Sequence, residues 1–227
     1  MNHPLDRPVW TALTGRQQAF AAGDAATALR FSPEINILAA SADASSESLA
    51  ALAALAPPGG ALVTVEGESM PVPPGLTVTK QAMLVQMLAE HPAAPEPFDH
   101  LALSDADAPE MLELATLTRP GPFVSHTHRL GSFIGVRVDG RLVAMAGERM
   151  RAPGLTEVSA VCTHPDFRGR GYAGRLMRIV MAHIVAAGET PFLHSYADNH
   201  GAIALYETIG FRIRREVIAT FFQRGKA

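Results

Sequence analysis

The run Arg168-Gly169-Arg170-Gly171-Tyr172-Ala173 combines two cations with two glycines. It stands where an apolar stretch, Val158 to Thr163, gives way to a helical pattern. Glycine lets a backbone come close to a ligand and turn its N–H groups toward it. A helix that begins there adds unpaired donors and the positive end of a dipole. Guanidinium groups at the same place supply charge on a rigid donor fork. Together these features predict a site for an anion of the pyrophosphate type.

Two patterns fit the same letters. Gly169, Gly171 and Gly174 satisfy G-x-G-x-x-G, with Glu189 about 20 residues on, which is the fingerprint of a dinucleotide site and would suggest an NAD-binding oxidoreductase. That fold needs its first glycine directly after a strand and its acid at the end of the next one. Here Thr163-His164-Pro165-Asp166-Phe167 intervenes, and Glu189 precedes the apolar run Pro191-Phe192-Leu193, so the context fails. Arg168, Gly171 and Ala173 satisfy instead Arg/Gln-x-x-Gly-x-Gly/Ala. Downstream follow a helix closed by Gly188, a strand Pro191 to Tyr196, Asn199, Tyr206-Glu207, Gly210-Phe211 and a β-like tail through Phe222. That order resembles the C-terminal half of the GNAT acyltransferases over residues 98–227. More narrowly, it is similar to the subgroup holding the glycine N-acyltransferases and many predicted bacterial acetyltransferases.

The resemblance implies an N-acetyltransferase using acetyl-CoA as co-substrate, with direct transfer to a primary amine of a small molecule or peptide. It implies that Arg168, Gly169, Arg170, Gly171, Tyr172 and Ala173 hold the pyrophosphate, and that the backbone at Val161 and Thr163 lies along the pantetheine arm. Asn199 would bond the pantetheine amide or cap its helix. Glu157 would draw a proton from the amine through water, and Tyr206 would protonate the departing thiolate. An ammonium with a pKa near ~10 must lose its proton before it attacks, and general base catalysis contributes roughly 10²–10⁴ in rate. Strand alternation puts Glu157 on one face with Ser159, Val161 and Thr163; a bulge would change that parity. The acceptor pocket would be lined by Arg119 to His128 and by strand ends near Glu148 and Met150, with Arg119 or Arg129 holding a substrate carboxylate. Cys162 lacks a visible partner dyad. His126 and His128 lack the company of a zinc site, so no metal is expected. A non-catalytic acyl-CoA-binding sensor is the other class to weigh, and a homodimer is a further expectation from the family's exposed strands.

The elements that must position these residues follow from the rest of the chain. It has 227 residues, 48% hydrophobic and 18% charged, with a net charge of −3 and one cysteine. This composition describes a globular α/β chain without a disulfide framework, and gives no global pull toward nucleic acid. The N-terminus lacks the basic start and apolar core of a signal peptide, and no apolar run approaches the roughly 20 residues of a membrane span, so a cytoplasmic protein is expected. Six arginines (Arg149, Arg151, Arg168, Arg170, Arg175, Arg178) gather around the glycine loop.

The proline-rich stretch His91 to Pro97 predicts a linker between residues 1–92 and 98–227. The first segment reads as a non-catalytic, GNAT-like α/β half: helix Trp10 to Ala22, Asp24 as N-cap of a second helix, strand Ile35 to Leu38, a helix from Ser46 to Ala56, strands Ala61 to Val65 and Leu76 to Thr79, and helix Gln81 to Glu90. The second reads as a GNAT catalytic domain, a mixed and mostly antiparallel twisted sheet flanked by helices. Its predicted elements are a strand Phe98 to Leu103, a helix Pro109 to Leu117, and a hairpin turning at Asp139-Gly140. A helix from Tyr172 follows, with Ala173, Leu176, Met177, Val180 and Ile184 on its core stripe.

Overall fold

The computed structural model describes residues 3–225, so the ends of the two expected segments, residues 1–2 and 226–227, lie outside the described residues. Helix α1 (Pro8–Thr14) leads into a three-stranded sheet of β1 (Ala21–Asp24), β2 (Ala28–Phe31) and β3 (Ala39–Ser41). Then come α2 (Ser46–Ala54), β4 (Ala61–Glu66), β5 (Leu76–Leu88), β6 (Leu101–Leu103), α3 (Ala108–Thr118), β7 (Phe133–Val138), β8 (Arg141–Ala152) and β9 (Leu155–Thr163). The chain closes with α4 (Tyr172–Ala186), β10 (Thr190–Tyr196), α5 (His200–Thr208) and β11 (Arg212–Arg224).

Eight strands form one sheet in the order β4-β11-β5-β10-β9-β8-β7-β6. All neighbours are antiparallel except β9 and β10. The expected mixed, mostly antiparallel sheet is therefore present. Its membership crosses the expected boundary at 92/98: β4 and β5 come from the first segment, and β5 lies between β11 and β10 in the middle of the sheet. The linker at 91–97 thus joins two parts of one sheet. Of the predicted helix Gln81 to Glu90, all but the last two residues belong to β5 instead. Residues Leu84 to Met87 are buried between two ladder partners, and satisfying that backbone in a sheet interior outweighs the helix propensity of Ala, Met, Leu and Gln.

The N-terminal reading needs two further corrections. The predicted helix Trp10 to Ala22 stops at Thr14, and Ala21 to Asp24 is a strand of a hairpin with β2. Asp24 caps no helix; its carboxylate accepts from the Ala26 N–H inside the hairpin turn. Ile35 to Leu38 contributes only a parallel bridge, Leu38 to Val63.

Helices cover both faces of the large sheet. The stripe on α4 buries Leu176, Met177, Val180 and Ile184 against Val143, Ala146 and Val158. At roughly 1.5–3 kcal/mol for each such side chain, this stripe suffices to seat the helix. On the other face, α3 packs Met111 and Leu114 on Leu142 and Met145, and α1 packs Val9 and Leu13 against Phe31, Met150 and Phe192. Among the described residues no helix is long and apolar enough to cross a membrane.

Candidate active site

The loop after β9 behaves as its composition predicts. Gly169 and Gly171 sit at φ of 76° and 77°, a region L side chains avoid, and Gly171 is the N-cap of α4. The capped end opens on a groove of about 630 Å³ lined by Arg168, Gly169, Arg170, Gly171, Tyr172, Ala173, Arg175 and Arg178 among others. Among the described residues no carboxylate lies within ion-pairing distance of these four arginines. Arg170 stacks over Phe167 at 4.8 Å and Arg175 over Phe98 at 5.1 Å, contacts that position a guanidinium while leaving its donors free.

The same groove runs into a wedge in the sheet. Strands β9 and β10 pair only from Leu155↔Thr190 to Glu157↔Phe192. Past that point Leu193 to Tyr196 ladder onto β5, while β9 continues on β8 alone, so the β10-facing edge of β9 is unpaired. Val161 and Thr163 lie on this stretch and line the groove. A bulge sits in the same stretch: Met145 and Gly147 on β8 face Cys162 and Ser159 on β9, two steps along β8 against three along β9, with Ala160 at φ 52°. The extra residue flips the alternation. Glu157 still shares a face with Ser159, but Cys162 follows on that face, and Val161 and Thr163 turn to the opposite one.

Glu157 is completely buried and borders neither cavity. Its carboxylate receives both Nε and Nη2 of Arg149 at 2.7 Å each, and Nδ1 of His194 at 2.8 Å. Burial pushes its pKa up, but the charge and hydrogen bonds of Arg149, aided by His194, outweigh this and hold the carboxyl at about 2. Glu157, expected to draw a proton from the amine through water, lies behind Arg149 and His194, which both bond it and border a cavity. The pair continues sideways. His194 Nε2 lies 3.0 Å from Gln86 Nε2, and Gln86 Oε1 accepts from Arg214 at 2.7 Å. Arg214, Gln86, His194, Glu157 and Arg149 come one each from β11, β5, β10, β9 and β8, five neighbouring strands in spatial order.

A second cavity, of about 260 Å³, opens on this face. Leu38, Val63, Val65, Leu84, Ala219 and Phe221 make its apolar side, and Arg119, Arg149, His194, Ser195 and Tyr196 its polar side. Arg119 reaches it from the left-handed C-cap of α3, at φ 53°. Arg129, the other expected carboxylate holder, is held by Asp105 at 2.7 Å and lies elsewhere. Thr118, Pro120, Val161, Asn199 and Tyr206 border both cavities, so they mark the junction. Asn199 caps α5, its side chain accepting from the Ala202 N–H at 3.3 Å. Tyr206 follows two turns later, edge-on to Phe211, and burial raises its phenol above the usual tyrosine value. Cys162 lines the groove, but burial pushes its thiol up to about 11, unfavourable for a nucleophile. Among the described residues no group of three or more His, Cys, Asp or Glu could hold a metal.

The loop, Asn199 and Tyr206 that the sequence singled out line one groove, whereas sequence reasoning did not connect Gln86, Arg214 and His194 as members of one network. Gln86 lay in a segment read as a helix, and no local pattern marks residues 128 positions apart as neighbours.

Comparison with known proteins identifies relatives of this chain. A family profile described as FR47-like protein matches residues 133–219. The N-alpha-acetyltransferase RimI of Mycobacterium tuberculosis is 34% identical over 128 residues, covering 52% of this chain and 80% of that protein. A GNAT-family acetyltransferase structure from Novosphingobium aromaticivorans is 48% identical, with a TM-score of 0.92 and full coverage of both chains. The GCN5-related N-acetyltransferase of Kribbella flavida shares the fold at 19% identity, with a TM-score of 0.63 over 96% of this chain and 95% of that one. The chain belongs to the GNAT family of N-acetyltransferases.

Proposed function

We propose that this enzyme transfers an acetyl group from acetyl-CoA directly to the primary amine of a small molecule or peptide. The observation that carries this reading is the junction: an anion groove and an amine-sized cavity meet at one half-buried phenol, Tyr206. The groove suits the co-substrate, since unpaired arginines, a glycine cradle and a helix N-terminus all point there. Arg168, Arg170 and the backbone of Gly169, Gly171, Tyr172 and Ala173 hold its pyrophosphate. The unpaired edge of β9 at Val161 and Thr163 accepts its pantetheine arm as a strand partner, and the amide of Asn199 lies beside them. Acetyl-CoA supplies an activated thioester carbonyl.

The acceptor's neutral amine enters the 260 Å³ cavity, its apolar body against Leu84 and Phe221 and its polar end toward Arg119 and Arg149. The amine nitrogen forms its bond to the acyl carbon as the carbon–sulfur bond breaks. The amine proton leaves to water in the groove, Tyr206 Oη delivers a proton to the sulfur, and the phenolate takes its proton back from that water, so the step ends with amide, free CoA thiol and neutral tyrosine. Raised by burial, the phenol stays protonated until it is needed. Glu157 acts through Arg149 and His194, holding both in place as a buried carboxylate. The mycobacterial relative, an N-alpha-acetyltransferase, supports an α-amine as nucleophile.

Initial-rate kinetics with acetyl-CoA and a panel of amino acids, peptides and polyamines test the reading. Intersecting double-reciprocal lines with release of free CoA are expected. Parallel lines would argue for a covalent acyl-enzyme, and binding of acetyl-CoA without turnover on any amine would make the protein a sensor.

A further inference from the structure

Gln86 has no freedom in how it lies. Arg214 Nη1 can only donate, so the atom it meets at 2.7 Å must be the amide oxygen. The carbonyl of Leu5 can only accept, so the atom it meets at 2.9 Å must be the amide nitrogen. Two independent partners set the same orientation. The second N–H of that nitrogen points at His194 Nε2, 3.0 Å away. Nε2 must then accept, so the ring proton sits on Nδ1, where it donates to Glu157 at 2.8 Å. Glu157 is left as an acceptor for Nε and Nη2 of Arg149. Arg149 Nη1, with no partner among the described residues, is the guanidinium edge left for the cavity.

The backbone is shaped for this sequence of contacts. Gln86 and His194 are direct partners in the β5–β10 ladder, so the first segment supplies a side chain to the heart of the second. Arg214 is the extra residue of a bulge in β11, since Ile213 pairs Met87 and Arg215 pairs Gln86. Bulges re-aim side chains beside functional sites. Asp6 holds the other side of the same guanidinium.

We propose that Gln86, oriented by Arg214 and Leu5, is a positioning residue for acyl transfer: it fixes His194 as the Nδ1–H tautomer and so locks the Glu157–Arg149 pair against the acceptor cavity. The inference rests on the acceptor reading above for its kinetic consequence, but its structural content stands apart. Nitrogen-15 histidine spectra of the full-length protein read the tautomer directly, with His194→Gln identifying the signal. A protonated Nδ1 with a bare Nε2 is expected at neutral pH. Gln86→Glu replaces the donor by an acceptor, so His194 gains a proton on Nε2. The turnover number for the acceptor then falls roughly 10–100-fold, the scale of misplacing a reacting group by about 1 Å, while KM for acetyl-CoA stays put. Arg214→Lys, which keeps a donor-only partner, retains the wild-type histidine pattern.

A bare Nδ1 in the wild type would overturn the proposal. So would a Gln86→Glu protein with the wild-type signal and turnover. If Gln86→Glu does not fold, the wild-type spectrum alone decides. If no amine is acetylated, the functional reading fails while the spectrum still judges the tautomer.

Discussion

Arg170 and Arg149 stand on opposite banks of one wedge and live in opposite surroundings. Arg170 is exposed, stacked on a ring and without a carboxylate among the described residues; Arg175 shares all three features, and Arg168 the first and third. Arg149 is mostly covered and bound on two atoms by a fully buried carboxylate that is itself bound by a histidine. One bank leaves its charge to be neutralised by a ligand. The other neutralises its charge internally and offers only geometry. The difference teaches that donor binding here depends on unsatisfied charge, while acceptor placement depends on a rigid frame.

The sharpest way to break the comparison is to empty the frame. Glu157→Ala leaves the mostly covered Arg149 without its counter-charge, and a loss of about 3–5 kcal/mol in unfolding free energy is expected by denaturant titration. A loss under 1 kcal/mol would mean that Arg149 is not locked. Glu157→Gln refines this through pH. The folded carboxyl sits at about 2 against an ordinary 4.5, so the unfolded chain takes up the proton first. The stabilisation is complete above pH 4.5 and fades as the pH falls toward 2. The melting-temperature gap between wild type and Glu157→Gln should narrow over that window and hold steady above it.

Tyr206→Phe tests the junction between the banks. A fall in turnover of about 10²-fold with KM for acetyl-CoA unchanged is expected; a matching rise in KM would assign the phenol to binding. Gly171→Ala carries the smallest effect. The nearest atom to an added Cβ is Arg175 Nε at 3.9 Å, so the cost is conformational, about 1–2 kcal/mol for a left-handed residue, with a weaker donor KM and intact acceptor KM.

The donor bank was legible in sequence because its parts are contiguous: a strand end, a glycine loop and a helix start fall within a dozen residues. Asp139-Gly140 likewise announced its hairpin, and both residues take the positive φ that such a turn needs. The acceptor bank was not legible, because it is assembled across five strands from residues 86 to 214. One of these strands, β5, is written over its second half in good helix formers and becomes a strand there only through its two neighbours. The bulge at Ala160 carries no glycine to mark it, so the alternation argument placed Val161 and Thr163 on the wrong face.

The central claim is that the unpaired arginines of the glycine loop bind the donor independently of the frame beside the acceptor cavity. Calorimetric titration of acetyl-CoA into wild type, Arg168→Ala/Arg170→Ala and Gln86→Glu tests it most directly. Affinity is expected to fall at least about tenfold in the double variant, the loss of two charge-assisted contacts, and to match wild type in Gln86→Glu. Equal affinity in the wild type and the double variant would contradict the account.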